Sequence, residues 1–411
     1  MDEQVLKIES DPSLPGHSAS LLSNCLNKLV EGTHISCEFV LPSGDTLHFG
    51  NEIPDFRVAF HNPRFLNHVL DESSFCEGYL RNEIDLEGDL AQLLDLRLRL
   101  PKKTRLLRAI RFWKQIFLNT PARTNRKLIE AHYGRGKELY FTFLDSRFHM
   151  YSHCLFPSDT ISLDLASENK MRYVFERLQL KPGMRLLDIG AGWGGMLNYA
   201  GNRGVRVAAL TLAHDSFEFI HDLIKKDKLP CEVYLEDFLV HRPKAPYDAI
   251  VNFGVIEHIP QYRPFFLKVW DCLKPGGLFY LDGSATKEKY DKCEFIGRHI
   301  WPGIHTFMCL HNLIQELLYH GLDLLDIRNE SHDYEMTMRH WAQNLETHKD
   351  KIVQGWGEQT FRAFRIYLWG GYHAFLKDEL QAYHILARRG TGAGPRPGFL
   401  KRFLNFLKET A

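Results

Sequence analysis

No stretch of 18 apolar residues occurs anywhere in the 411-residue chain, so no segment is expected to span a bilayer as a helix. Neither sign of charge is in excess. The 51 Lys and Arg balance 51 Asp and Glu, and whole-molecule electrostatics give no case for a nucleic-acid partner. None of the eight cysteines, at positions 25, 37, 76, 154, 231, 272, 293 and 309, belongs to a C-x-x-C pair. Scattered thiols suit a reduced, cytoplasmic protein better than a disulfide framework or a zinc site, and no metal is expected. The first residues, MDEQVLKIESDPSLPG, are acidic and lack an apolar core, so they do not read as a secretory signal. What is present is an ordinary soluble composition in a chain whose length is natural for two domains.

One glycine cluster stands out. The apolar run Met184–Ile189 leads into Gly190-Ala191-Gly192-Trp193-Gly194-Gly195, a strand that ends in a tight turn. No Lys-Ser/Thr pair follows, which argues against a nucleoside triphosphate loop. Gly190, Gly192 and Gly195 satisfy a dinucleotide G-x-G-x-x-G, but the next strand, Val205–Leu210, runs into Thr211 where that fingerprint wants an acid. Gly194 and the preceding Leu186-Leu187-Asp188 fit instead a loop close to the amino-acid part of S-adenosylmethionine. Glycine lets a backbone approach a ligand where a Cβ would clash. A purely structural turn is the remaining reading.

Around this turn the chain shows a clear organisation. Residues 1–16 read as a loose, disordered tail. Residues 35–50 read as a hairpin turning at 42–44, Phe56–Phe60 as a strand, and Pro63–Asp71 and Leu90–Leu98 as helices, so 17–100 forms a small α+β module. Arg97 to Lys114 carries eight basic residues and no acid, with Leu106, Leu107, Ile110, Trp113 and Phe117 on one helical face. It reads as a basic linker helix within 101–130, either solvated or docked on anionic lipid. From Ser167 on, helices at 169–178, 217–226 and 265–273 alternate with strands at 185–189, 205–210, 232–235, 248–252 and 277–281. That alternation predicts an α/β fold, a Rossmann-like parallel sheet with covered faces and ligands at its carboxyl edge. Residues 335–389 read as helical, with Phe361, Phe364, Tyr367, Trp369 and Phe375 either in the core or lining an acyl pocket. A flexible linker at 390–398 leads to an amphipathic tail, 399–408, that either packs back or touches a membrane.

Four segments, in order, carry a sharper signal. The first is His132-Tyr133-Gly134-Arg135-Gly136, continuing to Leu144-Asp145 and Met150-Tyr151-Ser152-His153-Cys154. The second is Leu186–Gly195, the third Ile256-Glu257-His258, and the fourth Asp333-Tyr334 with Met336-Thr337-Met338. Their order and spacing resemble the cyclopropane fatty acid synthases and mycolic acid methyltransferases, from roughly residue 30 to residue 390. EGYLRNEIDLEGDLAQLLDL is similar to the small lipid-associated domain of the bacterial synthases.

The resemblance implies a class I methyltransferase domain over 131–390 and a peripherally membrane-associated enzyme. Such an enzyme moves the methyl of S-adenosylmethionine to the cis double bond of an unsaturated phospholipid or other acyl lipid. An aromatic face would stabilise the resulting cation, and loss of a proton would close a cyclopropane, with bound bicarbonate as the family's base. It further implies Asp188, Gly190, Gly192 and Gly194 beside the methionine moiety, with Tyr151 and Ser152 closing the other side. Thr211, Leu212 and Ser216 fall at the ribose, Asp237 on the adenine side, Glu257 at the bicarbonate and Tyr334 near it. The plain structural alternatives are a helix N-cap for Asp237, an exposed loop carboxylate for Glu257 and a buried tyrosine with ordinary hydrogen bonding for Tyr334.

The chain also departs from the family. Its "YSC" is Tyr151-Ser152-His153 here, with Cys154 one place later, and Asp282 stands where the family has a histidine. Two neighbours of the bicarbonate are therefore changed, which leaves its use open. Asp282 is the expected replacement base, helped by His153, whose reference pKa of ~6.5 suits proton transfer. Proton loss elsewhere, or a hydride shift, leading to a methyl-branched or methylene product, is the alternative. Methylation of a small amine or terpenoid, or an inactive lipid-binding protein, are the other functional classes. The oligomeric state is open, a dimer included.

Overall fold

The computed structural model describes residues 21–51, 53–67, 70–100, 136–259, 261–288, 295–301, 305–392 and 394. The expected tail at 1–16, the basic helix within 101–130, His132 to Arg135, Cys293 and the amphipathic 399–408 lie outside them. The chain divides between Arg105 and Leu106 into two compact units.

In the first unit, helix α1 (Leu21–Val30) buries Leu22, Leu26, Leu29 and Val30, a spacing of three and four residues that puts them on one face. Strands β1 (Cys37–Val40) and β2 (Thr46–Phe49) form the expected hairpin. β3 (Phe56–Phe60) pairs parallel to β1, and β4 (Ile84–Gly88) pairs antiparallel to β3. The helix expected over 63–71 is instead a 3-10 turn at Pro63–Asn67 followed by α2 (Glu72–Leu80). Asp71 ends the first stretch because its carboxylate accepts the Ser74 amide at 2.7 Å, while Ser74 Oγ accepts the Asp71 amide. That reciprocal cap starts a helix after Asp71. α3 (Leu90–Arg97) is capped likewise by Asp89, which accepts the Ala91 amide at 2.8 Å.

The second unit begins its described part with the short α4 (Lys137–Tyr140) and α5 (Leu163–Arg177). α5 starts six residues before the expected Asn169, at the Ser162 cap. Strands follow in the predicted βα rhythm: β5 (Arg185–Ile189), β6 (Arg206–Thr211), β7 (Glu232–Leu235), β8 (Tyr247–Phe253) and β9 (Leu273–Ala285). Between them lie α6 (Gly195–Gly201), α7 (His214–Asp227) and α8 (Tyr262–Cys272). α9 (Leu310–Tyr319), β10 (Leu322–Asn329), α10 (Ser331–Thr347), α11 (Lys349–Trp356), α12 (Glu358–Leu376) and β11 (Gln381–Arg389) complete the order.

The seven strands lie in the order β10-β11-β9-β8-β5-β6-β7. β9, β8, β5, β6 and β7 run parallel, while β11 is antiparallel to both β9 and β10. Buried apolar residues form a core on each face of this sheet: Leu186, Ala249 and Val251 belong to one, Leu187, Ile189 and Ile250 to the other. Strands apolar on both sides are what a parallel sheet covered by helices requires.

Residues 381–389, expected to be helical, are corrected to strand β11. Its central residues His384, Ile385, Leu386 and Ala387 are all buried, so it is a sheet-interior strand and its apolar run has no helical face to present.

Candidate active site

The parallel strands β5 and β8 end side by side, and their exit loops meet. Gly190 leaves β5 with φ +70°, a left-handed backbone that disfavours any side chain. A Cβ there would also sit 2.3 Å from Val255 Cγ2 in the loop after β8. Beside it Gly192 has φ +53°, and a Cβ at that position would project into open space. The Ala191 amide donates to Leu210 O at 2.9 Å, which ties the glycine turn to the end of β6. There Thr211 is buried and its Oγ1 accepts the Ala213 amide at 3.1 Å. Leu212 is half-buried and Ser216 is buried one turn into α7. Asp237 follows β7. Its Oδ1 accepts the Leu239 amide at 2.8 Å, so it caps the local turn.

Asp188, one residue before the strand end, is buried, and burial pushes its carboxyl up to about 7. A cationic ammonium beside it would restore its charge. A turn with open backbone, a buried carboxylate lacking its counter-charge, and strand ends to either side fit the amino-acid end of a methionine-derived cofactor.

The segment 145–156 crosses the carboxyl edge of the sheet. Asp145 shapes its start: Oδ1 accepts the Phe148 amide and Oδ2 the Met150 amide, each at 2.6 Å. A Cβ on Gly254 would lie 3.3 Å from Ser152 Cβ, so Ser152 rests against the end of β8. One face of α10 then grips residues 153–156. Thr337 Oγ1 accepts the Cys154 amide at 2.9 Å, and Asp333 Oδ1 accepts the Phe156 amide at 2.6 Å. Glu330, at the N-cap of the same helix, bonds His153 Nε2 at 2.7 Å through Oε2. Its other oxygen, Oε1, bonds His384 Nδ1 in β11, also at 2.7 Å. Burial works against the Glu330 charge, yet the two imidazoles hold its carboxyl well below the usual carboxylate range.

Lys170 completes the frame. It belongs to the buried face of α5, and its Nζ reaches Ser152 Oγ at 2.9 Å, His153 O at 2.6 Å and Asp282 Oδ2 at 2.7 Å. Asp282 also accepts the Gly254 amide at 3.1 Å. The base role expected for Asp282 does not fit this pairing, since a proton on Asp282 would strand the Lys170 ammonium without its counter-charge. Cys154 is fully buried, and burial pushes its thiol well above the ordinary value, so it is a packed neutral thiol.

Glu257 follows β8 in a short 3-10 turn and is buried. Its Oε1 accepts both the amide and the hydroxyl of Ser284 at 2.8 Å each, whereas Oε2 is buried with no hydrogen-bond partner among the described residues. Burial raises its carboxyl against the opposing bonds from Ser284, and the Asp282 charge adds to the rise. The Glu257 charge reaches the hydroxyls of both Tyr334 and Tyr367, which burial keeps as neutral phenols. Tyr334 stacks near His153 with ring centroids 5.0 Å apart and against Phe375 at 4.5 Å. Tyr151 lies 5.7 Å from Trp301 and 5.6 Å from Trp341, and Tyr367 interacts with both Tyr151 and Trp301. Of the aromatic residues on α12, Phe361, Phe364 and Phe375 join the core, while Tyr367 turns to the site.

Tyr151, Ser152, His153, Cys154, Glu257, Asp282 and Tyr334 thus form one cluster beside the glycine turn, linked through Gly254 and Val255. Thr211, Leu212, Ser216 and Asp237 lie one and two strands further along the sheet. Lys170, Glu330 and His384 were not anticipated from the sequence. Lys170 alone carried a signal, as a charged residue on the apolar stripe of Leu163, Ala166, Met171 and Val174. Among the described residues no group of three or more His, Cys, Asp or Glu side chains is arranged to hold a metal ion.

A family model described as mycolic acid cyclopropane synthetase matches residues 120–385. A probable fatty acid methyltransferase of Mycobacterium tuberculosis is 32% identical over 269 residues, which cover 64% of this chain and 62% of that protein. The chain therefore spans a little under two thirds of that relative. The cyclopropane-fatty-acyl-phospholipid synthase of Escherichia coli is 30% identical over 271 residues, 65% of this chain and 69% of that one. Among solved structures, a cyclopropane synthase from Mycobacterium tuberculosis superposes with a TM-score of 0.60 at 23% identity, covering 64% of this chain and 98% of its own. At that identity the likeness bears on the fold.

Proposed function

We propose that this chain, which belongs to the mycolic acid cyclopropane synthetase family, is a methyltransferase that adds a methyl group to the double bond of an unsaturated acyl lipid. When bound, S-adenosylmethionine supplies an electrophilic methyl on a sulfonium.

The observation that carries the reading is Glu257 Oε2, a buried carboxylate oxygen with no hydrogen-bond partner among the described residues, on a side chain whose charge reaches the phenols Tyr334 and Tyr367. A buried acceptor left open calls for a ligand to satisfy it. An alkene is a weak nucleophile, so positioning must supply much of the rate, on the order of 7–11 kcal/mol in good intramolecular cases. Tyr151, Tyr334 and Tyr367 offer ring faces where positive charge develops. Ser284 orients Glu257, and the Lys170 clamp on Ser152 and His153 fixes the segment that covers the cofactor turn. Peripheral contact with anionic membranes belongs to the same proposal, supported by the basic amphipathic stretch from Arg97 to Lys114. No helix among the described residues is long and apolar enough to cross a membrane.

The test incubates the full chain with methyl-labelled S-adenosylmethionine and oleoyl phospholipid vesicles, then extracts the lipid. Label in the lipid supports the reading, and product mass with ring-proton NMR separates a cyclopropane from a methyl branch. Label confined to the water-soluble fraction overturns it and points to an amine substrate. Failure to bind the cofactor by calorimetry overturns the enzyme reading altogether.

A further inference from the structure

We propose that His153 is a buried general base whose reactive nitrogen is Nδ1, and that Glu330, met on its other oxygen by His384, is the positioning residue that makes it so. This rests on the lipid methyltransferase reading for the origin of the proton, while the His153–Glu330 geometry stands on its own contacts.

His153 is held at two points. Lys170 takes its backbone carbonyl at 2.6 Å, and Glu330 takes Nε2 at 2.7 Å. A carboxylate can only accept, so Nε2 carries a hydrogen, and the neutral ring then has its lone pair on Nδ1. Nδ1 is fully buried and has no hydrogen-bond partner among the described residues, beside the Tyr334 ring. A buried orphan N–H at Nδ1 would be costly, which further favours the lone pair there. An imidazole oriented by a carboxylate on its far nitrogen is the arrangement by which enzymes set a base's tautomer and meet the charge it acquires.

The second histidine explains why the carboxylate stays ionised at such depth. His384 lies opposite Asp282 in the β9–β11 register and donates to Glu330 Oε1, so the anion is met from both sides. Glu330 is also the N-cap residue of α10, where the helix favours negative charge. One helix and its cap therefore carry the carboxylate, the Cys154 and Phe156 anchors and Tyr334.

The step balances. After methyl addition the other alkene carbon is cationic. A C–H bond of the new methyl breaks, its proton goes to Nδ1, and its electron pair forms the third carbon–carbon bond of the ring. His153 becomes an imidazolium paired with Glu330, and Nδ1 returns the proton to water when the product leaves.

The experiment uses the full chain with 15N-labelled histidine, His153 being assigned by its loss in His153→Gln. The wild type is expected to show His153 as a single tautomer, protonated at Nε2 and bare at Nδ1. Glu330→Gln, whose amide can donate as well as accept, is expected to lose that single tautomer. In the oleoyl-phospholipid assay His153→Gln and Glu330→Gln are expected to lose ~10²–10⁴-fold in product, the range for a general base, with S-adenosylhomocysteine affinity held within about twofold. His384→Gln keeps the carboxylate and provides a second variant, expected to retain the tautomer. An Nδ1-protonated wild type, or Glu330→Gln with tautomer and product yield unchanged, overturns the proposal. The NMR arm needs no substrate, so a failure of the lipid reading shows in the assay alone and is distinct from a failure of the dyad.

Discussion

Lys170 Nζ stands 2.7 Å from Asp282 Oδ2, and neither side chain is exposed. The ammonium donates to Ser152 Oγ and His153 O and has Asp282 as its counter-charge. Removing one partner of such a pair leaves a buried, uncompensated charge. Lys170→Met is therefore expected to destabilise the second unit by ~3–5 kcal/mol, and Lys170→Met with Asp282→Asn to recover much of that loss. Urea denaturation followed by tryptophan fluorescence measures both. Equal midpoints for the single variant and the wild type would show that the pair holds nothing.

Asp188 should make stability depend on pH. Its carboxyl is raised from the ordinary 3.8 to about 7 by burial, so the folded state prefers the neutral form. The stability it contributes is present below pH 4 and is lost as pH rises towards 7. Asp188→Asn removes that dependence. The variant should gain on the wild type between pH 4 and 8 in cofactor-free melts, yet bind S-adenosylhomocysteine more weakly at pH 8. A variant that binds the cofactor as well as the wild type would remove Asp188 from the cofactor site.

Gly190→Ala meets two obstacles, a left-handed φ and a contact of 2.3 Å with Val255. Strained backbone of this kind costs about 1–3 kcal/mol. The loop should shift, and calorimetry should show cofactor affinity reduced at least tenfold. Gly192→Ala shares the strained φ but has open space around it, so its loss should be smaller.

Cys154 is expected to be chemically silent. Its thiol is fully buried and held neutral by burial, so an alkylating reagent at pH 8 should leave it unmodified in the folded protein and label it only in denaturant. Cys154→Ala should keep activity within a few-fold. A hundredfold loss would restore Cys154 to the catalytic set.

Much of the fold was legible because β5 to β9 follow the simplest rule in the chain, apolar runs closed by glycine or polar turns. Strands 185–189 and 232–235 appear with their expected bounds. β11 was not legible. Gln381-Ala382-Tyr383-His384-Ile385-Leu386 has no turn signal before it strong enough to separate it from α12, and a short buried apolar run is ambiguous between helix and strand. The glycine turn stood out as a local motif, and Glu257 and Tyr334 stood out through the family resemblance. Glu330 and His384 were not, because their meaning lies in partners 177 and 54 residues away in sequence. Asp282 was noticed as a departure from the family but given the wrong company, since nothing near it in sequence announces Lys170.

The place of β11 has a consequence for the order in which the enzyme can come to life. It is the last strand described in the chain, yet it is inserted between β9 and β10, and it delivers His384 to Glu330. A nascent polypeptide that has already formed the glycine turn, Glu257 and Tyr334 still has a gap in its sheet and a carboxylate met from one side only. Residues 381–389 must therefore be made before this sheet can close and before Glu330 can gain its second imidazole.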